Sequence, residues 1–349
     1  MRRFIVTAFR CVIRDRLKFS PLASRSRLLL VMPEWTGMGE ESQNLELCVC
    51  VPARNEAKRL PILLSALAAQ DWPVPVRIVI AVNNSQDASL EAIAQAQRLH
   101  EGRIDVHTLD VTFPEELAHA GSARRCAMDA GLALLGDPSR GVLVSTDADT
   151  RPPPRWLANI VAALRRGADM VGGKIIIEDN EALPGPVSRL RSAWDRYWET
   201  VRKIEDALDP VAWDAPPRHG DHTGASLAIR ADLYVRCGGV PLLKTGEDQA
   251  LVNAALSKGA RLAHPLNVYT FVSPRREGRA SGGMAAAMNE LFELAGKGEK
   301  PLAPAFEHWR ERALWRRHLR AMPGGAERIA AEEPFLAPMP HDMVLELSP

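Results

Sequence analysis

Long apolar runs are missing from this chain. No stretch of its 349 residues is long and apolar enough to span a bilayer. Phe4 to Ala8 is too short for a signal-peptide core and Arg10 cuts it off. Cysteine is sparse and unpaired in spacing: Cys11, Cys48, Cys50, Cys126 and Cys237 are odd in number, and none forms a Cys-x-x-Cys pair. That excludes a disulfide framework and fits small buried thiols, Cys48 and Cys50 sharing one face of an expected strand, in a reducing cytoplasm. Net charge is nearly absent, at +1, so overall charge points to neither nucleic acid nor membrane. Internal repeats and long low-complexity tracts are also lacking. What remains, with 46% hydrophobic and 25% charged residues, is the composition of a globular protein.

The length permits one large α/β domain with extensions, or two smaller domains. Charge is unevenly placed. Residues 1–30 hold eight basic residues (Arg2, Arg3, Arg10, Arg14, Arg16, Lys18, Arg25, Arg27) against the single acid Asp15. This arm runs through Pro33 to Ser42, a polar, glycine-containing linker, so residues 1–44 read as separable, with Met32 and Met38 as alternative starts. From Leu45 onward strands and helices alternate. Strand patterns run over Leu45–Val51, Val76–Val82, Asp105–Leu109, Val142–Thr146 and Met170–Ile177. Helix patterns run over Lys58–Ala69, Ser89–His100, Ser122–Leu135 and Arg155–Arg166. Alternation at this spacing means a mostly parallel sheet flanked by helices, with ligands beyond the carboxyl ends of the strands. The pattern weakens after residue 180 and resumes as helices over Met284–Leu294 and Phe306–Leu319. The second carries Arg310, Arg312, Arg316, Arg317 and Arg320 around Trp309, Leu314 and Trp315. Packed core with a solvated rim is preferred for it over an interfacial helix on anionic lipid.

Chemistry concentrates at a few strand ends. Gly141-Val-Leu-Val-Ser-Thr-Asp147-Ala-Asp149 is a buried-strand pattern ending in two carboxylates at i and i+2. Such a pair repels itself unless a cation sits between, and a hard divalent ion takes oxygen ligands while bridging to a phosphate. The plain alternative is aspartate as a turn residue. Pro52-Ala-Arg54-Asn55-Glu56 and Asn83-Asn84-Ser85-Gln86-Asp87 also follow strands; they offer cation, amide and carboxylate groups for a nucleotide, or ordinary turn chemistry. The expected convergence of these segments on one rim makes a site. Glu247 and Asp248 open a helical pattern, where acids complement the dipole or, functionally, a carboxylate takes a proton from an attacking hydroxyl. His219-Gly-Asp221-His222-Thr-Gly224-Ala225-Ser226 is polar and glycine-containing; substrate contact or loop hydrogen bonding is favoured there over zinc. Arg275, Arg276 and Arg279 stand among glycines, as a lid over a diphosphate or a solvated loop.

Taken in order, Val51-Pro-x-Arg-Asn-Glu56, Asn83 to Asp87, Thr146-Asp-Ala-Asp149 and Gly246-Glu-Asp248 resemble the family 2 glycosyltransferases of the GT-A fold, over roughly residues 45–275. The resemblance implies a Rossmann-like α/β fold with a helical C-terminal extension. Residues 45–150 become a nucleotide-sugar-binding half, 151–275 an acceptor-binding half of the same domain, and 276–349 a loop and helical extension. It implies a nucleoside-diphosphate sugar donor, Mg²⁺ or Mn²⁺, and inversion at the anomeric carbon by a hexosyltransferase-class enzyme. Asp149 and Asp147 then fall at the metal and diphosphate, Asp149 the more direct ligand. Pro52, Arg54, Asn55, Glu56, Asn83, Asn84, Asp87, Arg275, Arg276 and Arg279 fall on the donor side. Asp248, with Glu247 beside it, falls at the catalytic base, and His222, Gly224, Ala225 and Ser226 at the acceptor. The family commonly carries aspartate where Asn83 or Asn84 stands here, so the nucleotide stays open. The QxxRW signature of processive synthases is absent, so transfer of one or few sugars by a soluble, cytoplasmic enzyme is expected. The acceptor (sugar, lipid or small metabolite) cannot be read. No nucleic-acid partner is expected, and a peripheral membrane contact stays open. Two other functions compete. A sugar-nucleotide-forming nucleotidyltransferase needs a Gly-rich basic loop after the first strand, which this chain lacks. A non-catalytic GT-A-like binding protein need not keep both carboxylate pairs.

Overall fold

The computed structural model describes residues 45–177, 183–273 and 284–347. The chain divides into two units, Met1–Asn44 and Leu45–Pro349. The basic arm expected over 1–44, and Arg275, Arg276 and Arg279, lie outside the described residues.

Strand β1 (Glu46–Ala53) alternates Val49 and Val51 with Cys48 and Cys50, and all four are fully buried. Both faces of the strand are therefore covered, as in a parallel sheet packed on two sides. Helix α1 (Leu60–Ala68), with Pro61 in its first turn, lays Leu60, Leu63, Leu64 and Leu67 on the valine face. Each such leucine contributes about 1.5–3 kcal/mol by leaving water. Next come β2 (Val76–Asn83), α2 (Ser89–Leu99), β3 (Ile104–Val111) and α3 (Ala120–Leu134). Helix α3 covers the cysteine face, where Gly131 leaves room: a Cβ there would lie 2.7 Å from Cys50 Sγ. Cys48, Cys50 and Cys126 are free buried thiols, as expected, and burial pushes Cys126 up to about 12.

The chain continues through β4 (Gly141–Ser145), β5 (Thr150–Arg151), α4 (Trp156–Arg165), β6 (Met170–Gly172), β7 (Lys174–Ile177) and α5 (Gly185–Leu208). Then follow β8 (Leu227–Arg230), α6 (Ala231–Cys237), α7 (Glu247–Leu256), β9 (Leu262–Ala263) and β10 (Tyr269–Val272). Helix α8 (Met284–Lys297), β11 (Leu302–Ala303), α9 (Phe306–Arg320), α10 (Gly325–Glu332) and β12 (Met343–Val344) complete the described residues. The main sheet has the order β3-β2-β1-β4-β8-β6-β9 and is parallel except around β8, which runs against both β4 and β6. This is the mostly parallel, helix-flanked α/β sheet that the alternation implies. Strand order turns at β1, with β2 on one side and β4 on the other, so the crevice beyond their carboxyl ends is a topological switch point. No helix among the described residues is long and apolar enough to cross a membrane.

Two expectations need correction. Met170–Ile177 is not one strand. It breaks at Gly173, whose missing Cβ would sit on Ser226 Oγ, and β7 leaves the main sheet to pair with β10 in the small sheet β5-β10-β7. The strand expected over Leu45–Val51 runs on to Ala53, with Pro52 inside the ladder opposite Ala81. The C-terminal helices are packed, as preferred. Phe306 stacks on Tyr197 of α5 with centroids 5.4 Å apart, and Trp309 Nε1 donates to the Tyr197 hydroxyl at 2.6 Å. Arg316 and Arg320 reach Glu205 (2.6 Å) and Asp209 (2.9 Å) at the far end of α5.

Candidate active site

The site is organised by a residue not singled out from the sequence, Arg124. It lies on the face of α3 that also carries Met128 and Gly131, buried at 4% exposure. Its Nε donates to Glu247 Oε1 (3.0 Å) and its Nη2 to Asp147 Oδ1 (2.9 Å). Nη1 donates to Ser145 Oγ (2.6 Å) and to the Gly224 carbonyl (3.0 Å). Burial works against the charge, yet Asp147, Glu247 and Asp248 outweigh it and hold the guanidinium above its ordinary range. One side chain thus ties the end of β4, the start of α7 and the loop before β8. The close fit demands glycine at 224, where a Cβ would stand 2.4 Å from Arg124 Cζ. A cation on an apolar helix face was the signal in the sequence.

At the tip of β4, Ala148 is buried between Asp147 and Asp149, which are half-buried. Thr146 Oγ1 donates to the Ala225 carbonyl (2.8 Å), fixing the tip against the loop beside it. Among the described residues no group of three or more His, Cys, Asp or Glu side chains is gathered to hold a metal ion.

On the donor side, the loops after β1, β2 and β4 share one rim, as expected. The first two are stitched together. Asn55 N donates to Ser85 Oγ (2.9 Å), Gln86 N to Asn55 Oδ1 (2.7 Å), Glu56 N to Ser89 Oγ (2.9 Å) and Ala57 N to Asp87 Oδ2 (2.9 Å). Burial would raise the Asp87 carboxyl, but the bonds from Ser89 and Ala57 outweigh it and hold it below its ordinary 3.8. Asn55 and Asn84 take left-handed φ values of 52° and 48°, which asparagine tolerates. Asn84 exchanges two bonds with the Phe113 backbone. The side chains of Asn55, Asn84 and Asp87 therefore brace these loops. Arg54 donates to the Ala118 carbonyl (3.1 Å), and Glu56 is buried. Asn83, at 3% exposure, keeps its amide nitrogen without a partner, a buried donor at the end of β2.

On the other side, α7 opens with Glu247 and Asp248 after Gly246, which stands at φ 72°. The two acids part company. Glu247, expected beside the catalytic base, is buried and ion-paired with Arg124 at 3.0 Å. Asp248 stays half-exposed; its Oδ2 accepts from Gly224 N (2.7 Å) and its Oδ1 from Gln249 N (2.8 Å). Ala225 and Ser226, expected at an acceptor, are buried instead, and Ser226 Oγ accepts from Trp156 Nε1 (2.9 Å). Gly224 is also enclosed, whereas His222 remains half-exposed beside Asp248's helix. His222 Nδ1 meets His264 Nε2 at 3.2 Å, and its Nε2 meets the Gln249 side chain at 3.1 Å. His264 and its partner Asp214 were not singled out in the sequence; isolated in flanking segments, they carry no spacing signal.

Residues 48–220 match the family model for glycosyl transferase family 2, and through this segment the chain belongs to that family. A curated relative is the undecaprenyl-phosphate 4-deoxy-4-formamido-L-arabinose transferase of Yersinia enterocolitica, 24% identical over 137 residues. That match spans 39% of this chain and only 38% of the relative's length. Among solved structures, a mannosyltransferase of Pyrobaculum calidifontis in complex with GDP-Man and Mn²⁺ is 16% identical. It covers 95% of this chain and 87% of its own, with a TM-score of 0.47. S. aureus TarS in complex with UDP-GlcNAc is 18% identical over 79% of this chain and 72% of its own, also with a TM-score of 0.47.

Proposed function

We propose that this protein is a glycosyltransferase that moves a sugar from a nucleoside-diphosphate sugar to an acceptor hydroxyl, with inversion. The observation that carries the reading is the Arg124 bridge, which couples the Asp147–Asp149 tip of β4 to the α7 start that bears Asp248. In this reading the donor nucleotide lies on the stitched loops 54–57 and 84–88, with Asn83 as an unpartnered donor near it. Asp248 takes the proton of the acceptor hydroxyl, and Gly224 N and Gln249 N fix its orientation. Placement of the two substrates supplies much of the acceleration.

A divalent ion fits the residues present. Mg²⁺ keeps several waters and binds through one or two carboxylates plus substrate phosphates, so it needs no three-ligand protein cluster. Asp149 and the Asp147 oxygen turned away from Arg124 would hold it. When bound, such an ion supplies positive charge against the departing diphosphate.

The test is Asp248→Asn assayed for transfer and for nucleotide binding. General-base loss predicts a fall in turnover of about 10²–10⁴-fold with nucleotide binding kept. Transfer at the native rate by that variant rejects the base assignment.

A further inference from the structure

Behind His222 lies a buried chain of ring and carboxylate groups that the reaction just described does not use. Asp214, buried, accepts from both the backbone N (2.6 Å) and the ring Nδ1 (2.8 Å) of His264. The His264 proton therefore sits on Nδ1, and in the neutral ring Nε2 is left to accept. His222 Nδ1 donates to it, which leaves His222 Nε2 as a lone pair facing the Gln249 amide. With the Gln249 and Asn253 amides turned over together, every group in the row has a complementary partner. The row ends on both sides of Asp248: Gln249 is its neighbour, and Gly224, two residues after His222, donates to its carboxylate.

The inner end is anchored as firmly. Arg218 joins Asp214 (3.3 Å), Asp206 (2.6 Å) and Glu205 (3.3 Å), and Glu205 accepts from Arg316 of α9. A continuous set of polar contacts thus links the C-terminal extension to the loop beside Asp248.

We propose that Asp214, His264 and His222 form a positioning relay that aims the Asp248 carboxylate, and that the ring proton shared by the histidines sets its geometry. The proposal rests on the reading of Asp248 as the base. Titratable and charged groups around the pair are Asp214 and Arg218 within the relay, Asp221 and His219 on the same loop, Asp248 on α7, and Lys174 on β7 near His219. Burial, with His264 adding to it, holds His222 below its ordinary 6.5. Protonation on the acid side puts a hydrogen on His222 Nε2 and reverses the Gln249 contact.

The experiment uses the full chain with ¹⁵N-labelled histidine. In Asp214→Asn the new amide donates to His264 Nδ1, so the ring hydrogen moves to Nε2 and His222 exchanges tautomer in turn. NMR of the ring nitrogens is expected to show both rings switching, although only one touches residue 214. His222→Phe, a half-exposed change that leaves Asp214 intact, serves if Asp214→Asn does not fold. It is expected to lower turnover of the nucleotide sugar about tenfold with an unchanged nucleotide Kd, to remove the acid limb of the rate profile, and to be partly rescued by His222→Gln. An unmoved His222 tautomer in Asp214→Asn, or native turnover with a native pH profile in His222→Phe, overturns the relay. If the wild-type chain turns over no nucleotide sugar, the catalytic reading fails while the ring spectra still decide whether the relay exists.

Discussion

Replacing Arg124 by methionine keeps a long apolar stem but leaves Asp147 and the buried Glu247 as carboxylates without their cation. Removing one partner of a buried pair costs about 3–5 kcal/mol, so Arg124→Met is expected to lose that much stability in urea unfolding. Arg124→Lys is expected to fall between the two, because an ammonium cannot serve four directions in one plane. A loss near zero for the methionine variant would show that the bridge contributes nothing to holding the site. Gly224→Ala probes the same contact from the other side. A Cβ 2.4 Å from the Arg124 guanidinium must displace it, at about 1–3 kcal/mol, and transfer should suffer beyond the stability loss because Gly224 N also holds Asp248.

At the scale of elements, the pairing of α5 with α9 carries a pH signature. Burial raises the Glu205 carboxyl, but Arg202, Arg316 and Arg218 outweigh it and hold it below its ordinary 4.5. A depressed folded value means stability that is complete above pH 4.5 and lost as pH falls through the lower, folded value. Urea unfolding from about pH 7 to about pH 3 should therefore show wild type more stable than Glu205→Gln at neutral pH, with the gap closing in acid. A gap that is constant with pH contradicts the assignment. The same helices show what was legible in the sequence. Strands β1, β2 and β4 declared themselves as short apolar runs ending in polar turns, and the Asp147–Asp149 tip followed from them. Helix α5 did not, because its charged residues mask the helical spacing of Val187, Leu190, Ala193, Tyr197, Val201 and Ile204. Arg124 escaped because an arginine in a helix reads as solvent-facing; its place on the apolar face with Met128 and Gly131 was the signal, and its partners lie far off in the chain. That Asn55, Asn84 and Asp87 also brace their loops was not legible, because sequence does not show which backbone groups such side chains bond.

For the whole molecule, the sheet brings three loops to one rim at the switch point, and Arg124 locks the acidic tip of β4 to the helix that carries Asp248. On the proposed reading the ligand is a nucleoside diphosphate beside the two carboxylates, held through a divalent ion, with the sugar carbon turned toward Asp248. Binding of that ligand should stabilise the fold by mass action, by about 2.7 kcal/mol at a hundredfold excess over Kd. The direct measurement is thermal unfolding of the full chain with UDP, GDP and ADP and their sugar conjugates, with and without Mn²⁺, in wild type and Asp149→Asn. At least one nucleotide should raise Tm in wild type only when Mn²⁺ is present, and the rise should vanish in Asp149→Asn. No shift with any of these nucleotides, or a shift indifferent to both Mn²⁺ and Asp149, contradicts the account.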